Sequence, residues 1–155
     1  GYEFNNKNLV KVTSENNNNE IEENKYLLRF DGASRGNPGK SSAGAVLYHN
    51  NNEIWTKSLY LGDNFTNNVA EYFSLLLGLE EATKRHILHL EVQGDSLLVI
   101  NQVTGKWKVK NDNLKKLCNK AKYFKNKFNF ITFSHIYREG NKRADELANQ
   151  ALDNL

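Results

Sequence analysis

Little in this chain of 155 residues invites cross-linking: it has one cysteine, one proline and no methionine. The single thiol, Cys118, excludes an internal disulfide framework. It lies in a lysine-rich helical pattern with nothing nearby to stabilise a thiolate, and so reads as an ordinary thiol of a reducing compartment. Long apolar runs are missing as well. No stretch approaches the ~18 consecutive apolar residues of a helical membrane span, and no charged-then-apolar signal pattern opens the chain. The expectation is a protein with no membrane partner, intracellular in the nucleus or cytoplasm, with an organelle left open. The start at Gly1 and the lack of methionine suggest a processed or trimmed product, which leaves room for an upstream targeting segment. Asn64-Phe65-Thr66 has the form of a glycosylation acceptor, but without any secretory sign it reads as chance.

What is present suffices for one ordinary domain, since 39% of the residues are hydrophobic and a chain of this length can bury a core unaided. The formal net charge of +3 is unevenly spread. Residues 1–25 carry three lysines against five glutamates, a net of −2, which leaves +5 for residues 26–155. That first segment, with Asn16-Asn17-Asn18-Asn19 and few apolar residues, is expected to be a flexible tail. The basic remainder is compatible with a polyanionic partner without specifying one.

From Tyr26 the texture changes to short apolar runs alternating with charged helical patterns, the sign of a mixed α/β domain. Strands are predicted over Tyr26–Ala33, Ala43–His49 and Ile54–Leu61, with Gly36-Asn37-Pro38-Gly39 as a tight turn and Asn50-Asn51-Asn52 as a hairpin loop. Thr66-Asn67 caps a predicted helix from Asn68 to Arg85. Ile87–Val92 reads as a strand, Asp95-Ser96 opens a helix to Thr104, and Asp112–Lys127 reads as a lysine-rich helix. Phe130–Tyr137 is the last predicted strand, and Asn141 caps a final helix. An antiparallel meander beside parallel strands reached by right-handed crossovers gives a five-stranded mixed sheet with helices on both faces. Sites in such sheets form outside the strand ends.

Four carboxylates stand at those ends. Each has an ordinary explanation: Asp31 as the start of a turn, Glu71 as macrodipole compensation, Asp95 as an N-cap, and Asp145 as the solvent side of an amphipathic helix. Their joint placement says more. Two acids end two strands and two lie in the first turns of two helices. Should these openings converge, mutual repulsion among the four is relieved best by divalent cations. Oxygen-only ligation suits Mg²⁺ or Mn²⁺, and no His/Cys cluster competes for zinc. Two such ions about 4 Å apart can activate water on one side of a phosphodiester and stabilise the leaving oxygen on the other.

Four segments carry a resemblance: Asp31-Gly32-Ala33-Ser34-Arg35-Gly36-Asn37-Pro38-Gly39, Thr66-Asn67-Asn68-Val69-Ala70-Glu71, Gly94-Asp95-Ser96, and Asn141-Lys142-Arg143-Ala144-Asp145-Glu146-Leu147-Ala148. In this order and spacing, over about residues 26–155, the chain resembles type 1 ribonuclease H. The resemblance implies a ribonuclease H-like fold and cleavage of the RNA strand of RNA/DNA hybrids by two divalent ions, Mg²⁺ with Mn²⁺ as an alternative, leaving 5′-phosphate and 3′-hydroxyl ends. It implies that Asp31 bridges both ions, that Glu71 and Asp95 complete one shell, and that Asp145 serves the other. It also implies that Ser34, Arg35, Gly36, Asn37, Asn67 and Asn68 line the minor groove, where ribose 2′-hydroxyls distinguish RNA from DNA. Thr66 and Asn111 match positions that grip a DNA-strand phosphate.

The chain departs from the well-studied bacterial pattern in two places. Only Arg138-Glu139-Gly140 separate Tyr137 from Asn141, too few for the mobile loop whose histidine assists there. His135 is expected to be packed inside its strand, and Arg138 is the candidate beside the scissile phosphate, as in the shorter archaeal and plant-like branch. The basic protrusion is also missing. Trp107 is expected in the core, with Lys106, Lys108, Lys110, Lys115 and Lys116 as contacts to the duplex backbone. A monomer is expected. The alternatives are a nuclease-inactive hybrid-binding module, which the presence of all four acids disfavours, or a ribonuclease H domain derived from a reverse transcriptase. Junction resolvases and integrases resemble neither the Asn37-Pro38-Gly39 turn nor Thr66-Asn67-Asn68.

Overall fold

The computed structural model describes residues 24–155. The tail expected over residues 1–25 therefore lies outside the described residues, except for Asn24 and Lys25. Lys25 is tied to the first hairpin, its N–H donating to Asn50 Oδ1 (2.9 Å) and its carbonyl accepting from Asn50 N (2.9 Å).

Three antiparallel strands come first: β1 (Tyr26–Gly36), β2 (Gly39–His49) and β3 (Asn52–Phe65). All three run longer than predicted, because the ladder continues to the turn residues themselves. Gly36 pairs with Gly39 across the cis Asn37–Pro38 turn, and His49 pairs with Asn52 across Asn50-Asn51. Both of those asparagines have positive φ (52° and 72°), the conformation a two-residue hairpin turn requires and one that asparagine tolerates.

Helix α1 (Asn67–Lys84) follows, with Thr66 Oγ1 accepting from Val69 N (3.2 Å) as its cap. Strand β4 (His89–Gly94) starts two residues later than predicted. His86 (φ 59°) and Ile87 close α1 by donating to Thr83 O and Ala82 O, so they belong to the helix terminus. Helix α2 (Leu97–Val103), helix α3 (Asp112–Lys125), strand β5 (Phe130–His135), a single 3₁₀ turn (Arg138–Gly140) and helix α4 (Lys142–Asp153) complete the chain. Among the described residues no helix is long and apolar enough to cross a membrane.

The sheet order is β3-β2-β1-β4-β5, with β1 parallel to β4 and β4 parallel to β5. Alternation along β2 assigns the two faces. Ala45 and Leu47 join the large cluster with Leu28, Phe30, Tyr72, Leu75 and Leu79 under α1, whereas Val46 meets Ala144 and Leu147 of α4 on the other side. Five mixed strands with helices on both faces are thus observed, as the sequence predicted.

Two side chains expected in packed positions are exposed. Trp107 is 46% accessible and not in the core. Gly105 (φ 85°) turns the chain out of α2, and Val109, two residues on, supplies the core contact instead. His135 ends β5 and is exposed, because the strand stops two residues short of the predicted Tyr137.

Candidate active site

The site lies where β1 and β4 diverge. Phe30 pairs with Gly94 in the parallel register, so Asp31 and Asp95 leave neighbouring strands side by side. Beyond that point two main-chain groups on one edge of β1 lose their ladder partner, and side chains take them over: Asn141 Nδ2 donates to Phe30 O (2.9 Å), and Gly32 N donates to Glu71 Oε1 (2.9 Å). Ser74 Oγ lies 2.6 Å from Asp31 O and 2.7 Å from Ala70 O, which pins α1 to the same stretch of β1. Gly32 makes this approach feasible, since a Cβ there would stand 2.5 Å from Ala70 C and Glu71 N.

These contacts remove the ordinary explanations for the acids one by one. Asp31 starts no turn, for β1 continues five residues past it and leaves it 5% exposed. Glu71 is equally buried, too deep for a surface charge answering a dipole. Ser96, not Asp95, caps α2, its Oγ accepting from Val99 N (3.2 Å), which leaves the Asp95 carboxylate uncommitted. Asp145, partly buried, lines the cleft. Asn141 also differs from expectation. Its side chain makes no capping bond to α4, having been drawn to β1, and its buried Oδ1 has no partner among the described residues.

Ligand oxygens of Asp31, Glu71 and Asp95 all lie within 4.8 Å of one another. Asp145 borders the same cleft of about 500 Å³, and its charge acts on Asp31. Burial, then the charge of Asp95, then Asp145 push the Asp31 carboxyl up to about 8. Glu71 is held well above the usual carboxylate range by burial and by Asp31 and Asp95. Crowded buried carboxylates of this kind fit divalent cations. The donors are hard oxygens, and a cation replaces the protons that otherwise relieve the repulsion.

Ser34, Asn67 and Arg138 line this cleft too, as does the exposed His135. A second cleft of about 240 Å³ gathers Asn37, Thr66, Asn68 and Asn111 where the N-termini of α1 and α3 approach. Asn37 Oδ1 accepts from Asn67 N (3.0 Å), linking the β1–β2 turn to the start of α1, with Gly36 beside it in that turn. Thr66 Oγ1 and Asn111 Oδ1 are engaged as caps, the latter with Leu114 N (3.0 Å), which leaves the hydroxyl and the amide NH₂ as donors. Arg35 lines neither cleft. Its guanidinium pairs with Asp153 (2.5 Å) at the end of α4. Lys106, Lys108, Lys110, Lys115 and Lys116 are exposed on the α2–α3 connector and the first turn of α3, and none joins an ion pair among the described residues. Sequence reasoning missed Ser96, Asn149 and the cleft position of His135. The ser-after-acid dipeptide at a helix start was the one legible signal, since serine and aspartate compete for a single capping position.

Residues 29–151 match the reverse transcriptase-like family. The chain is 40% identical over 124 residues to ribonuclease HI of Halobacterium salinarum, covering 80% of this chain and 62% of that protein. It is 35% identical over 143 residues to ribonuclease H of Pseudomonas fluorescens, covering 83% and 90%. A bifunctional protein of Mycobacterium tuberculosis is 39% identical over 130 residues, and the chain spans only 36% of that relative's length. Among solved structures, RNase H1 of Halobacterium salinarum superposes with a TM-score of 0.81 at 36% identity, over 84% of this chain and 99% of that one. LC11-RNase H1 in complex with an RNA/DNA hybrid gives 0.79 at 38%, over 84% and 98%.

Proposed function

Because this chain belongs to the reverse transcriptase-like, ribonuclease H-like family, we propose that it is an endonuclease that hydrolyses the RNA strand of RNA/DNA hybrids. One observation carries the reading: carboxylates from β1, α1 and the β4–α2 junction converge within 4.8 Å, with Asp145 of α4 on the same cleft. A nuclease-inactive binding module has no use for buried acids that cost stability wherever they are not neutralised.

In the proposed reaction Asp31, Glu71, Asp95 and Asp145 hold two divalent cations, Mg²⁺ or Mn²⁺. When bound, the ions supply activated water and stabilise the leaving oxygen, so that 5′-phosphate and 3′-hydroxyl ends result. Asp31 is central because its two neighbours in charge, Asp95 and Asp145, approach it from different elements. Glu71 is fixed by the Gly32 N–H, so its carboxylate meets the substrate already oriented. Arg138, exposed on the 3₁₀ turn and lining the cleft, offers five N–H donors and a fixed positive charge to the scissile phosphate.

The rest of the surface suits a hybrid duplex. Asn37, Thr66, Asn68 and Asn111 surround the small cleft at two helix N-termini, where the dipoles and free donors favour a phosphate of the DNA strand. Ser34 and Asn67 on the acid cleft, with Gly36 of the β1–β2 turn, are proposed to meet the minor groove and its 2′-hydroxyls. The five exposed lysines extend the path along the backbone and make affinity fall with salt. Arg35 joins them only by leaving Asp153, an exposed pair of small energetic weight. The unit is proposed to act as a monomer.

The test is cleavage of labelled hybrid by wild type and Asp31→Asn. The variant is expected to lose at least about a thousandfold in rate, or ~4 kcal/mol of transition-state stabilisation, with hybrid affinity largely kept. Equal rates for the two proteins would refute the assignment.

A further inference from the structure

We propose that Asn149 is a positioning residue for Asp145, an inference that rests on the function proposed above. The four acids are not equally restrained. Asp31 is fixed by a central strand, and Glu71 by burial and the Gly32 N–H, so neither needs further support. Asp145 stands outside the group of three oxygens that lie within 4.8 Å, and it is half-buried on the open side of α4. A side chain with two free torsions in that position samples orientations that turn its oxygens away from Asp31. Asn149 limits that freedom. It follows Asp145 by one helical turn, lines the same cleft, and its Nδ2 lies 3.2 Å from Asp145 Oδ1 and 3.0 Å from Asp145 O.

The double contact is informative. Bonding from residue i to the main-chain oxygen of residue i−4 is a local habit of small polar side chains and means little by itself. Here the same nitrogen also reaches the carboxylate, so the main-chain bond anchors the amide and the amide anchors Oδ1. The other carboxylate oxygen is left for the cleft. The helix beneath is equally fixed: Ser42 Oγ bonds to Ala148 O, and Gly44 lets Ala144 and Ala148 press onto β2. The chain from β2 through α4 and Asn149 to Asp145 is therefore restrained at each link. Outer partners that orient metal-binding side chains typically contribute 10–100-fold in cation affinity or activity.

Three variants test this. Asn149→Ala removes the donor, Asn149→Leu keeps the approximate volume while removing the donor and adds no charge, and Asn149→Gln keeps an amide one methylene further out. Two readouts are needed: kcat and KM on hybrid, and the midpoint of a calorimetric Mn²⁺ titration without nucleic acid. Ala and Leu variants are expected to lose about tenfold in kcat with KM within about twofold and to need about tenfold more Mn²⁺, with partial rescue in Gln. Gln150→Ala, on the exposed neighbour, should match wild type. A wild-type Mn²⁺ midpoint in Asn149→Leu overturns the proposal, whether or not the rate falls, because the loss would then bypass Asp145. If wild type fails to cut hybrid, the functional reading fails instead, while the Mn²⁺ midpoints still decide the role of Asn149.

Discussion

The two faces of the sheet follow opposite plans. Under α1 lies a wide apolar cluster of large side chains, including Leu28, Phe30, Tyr72, Leu75 and Leu79, all fully buried. Under α4 the apolar set shrinks to Val46, Ala144 and Leu147, and contact is made by small and polar groups: Gly44 beneath Ala144 and Ala148, Ser42 to Ala148 O, and Ser58 to Leu147 O (2.6 Å). Phe30 and Asp31 show the divide on adjacent residues of one strand, the first in the cluster and the second in the acid cleft. The thick face supplies stability. The thin face lets a helix sit close enough to deliver Asp145, and gives up hydrophobic burial to do so.

This division predicts different failures for the two faces. The largest effect belongs to Glu71→Gln, where loss of a proposed cation-binding oxygen should lower hybrid cleavage by about a hundredfold or more, ~3 kcal/mol in the transition state. Its melting temperature without cations should hold or rise, since the neutral amide ends the repulsion with Asp31 and Asp95. Next comes Leu75→Ala on the thick face, expected to cost about 2–5 kcal/mol of stability by denaturant unfolding while the folded fraction cuts at the normal rate. Gly44→Ala on the thin face should cost about 1–3 kcal/mol and also depress kcat, because the new methyl displaces Ala144 and Ala148 and with them Asp145. If Leu75→Ala were the more damaging to kcat of the folded protein, the division of labour would be wrong.

A further effect is a slope with pH. Asp31 titrates near 3.8 when unfolded and at about 8 when folded, so the folded state binds more protons between those values. Without divalent ions this group therefore favours folding most at low pH and loses that contribution as pH rises from about 4 to about 8. The difference in stability between wild type and Asp31→Asn should fall across that window in metal-free buffer, and saturating Mg²⁺ should flatten it.

Most of the architecture was legible because periodicity and turn chemistry are local. Asn50-Asn51 and Gly36–Gly39 mark the hairpins, Thr66-Asn67, Asp95-Ser96 and Asp112 the helix starts, and these fix the order of elements. The ends of strands were less legible. The ladder extends as far as a neighbour offers partners, which is why β1 runs to Gly36 and β5 stops at His135. Trp107 could not be placed for a similar reason: Val109 and Trp107 share a connector, and only the exit angle set by Gly105 decides which of them meets the core. Asn141 reads as a cap in sequence, yet the orphaned Phe30 carbonyl, invisible in sequence, claims its amide. Asn149 escaped notice because its partner lies on the same helix and is significant only once Asp145 faces a cleft.

The most direct test of the central claim is calorimetric titration of Mn²⁺ or Mg²⁺ into wild type, Asp31→Asn and Asp145→Asn in the absence of nucleic acid. Wild type should release heat on binding and gain in melting temperature as the cation is raised, while Asp31→Asn should show neither and Asp145→Asn a weakened version of both. Indistinguishable cation binding by all three proteins would contradict the shared site and with it the hydrolytic reading.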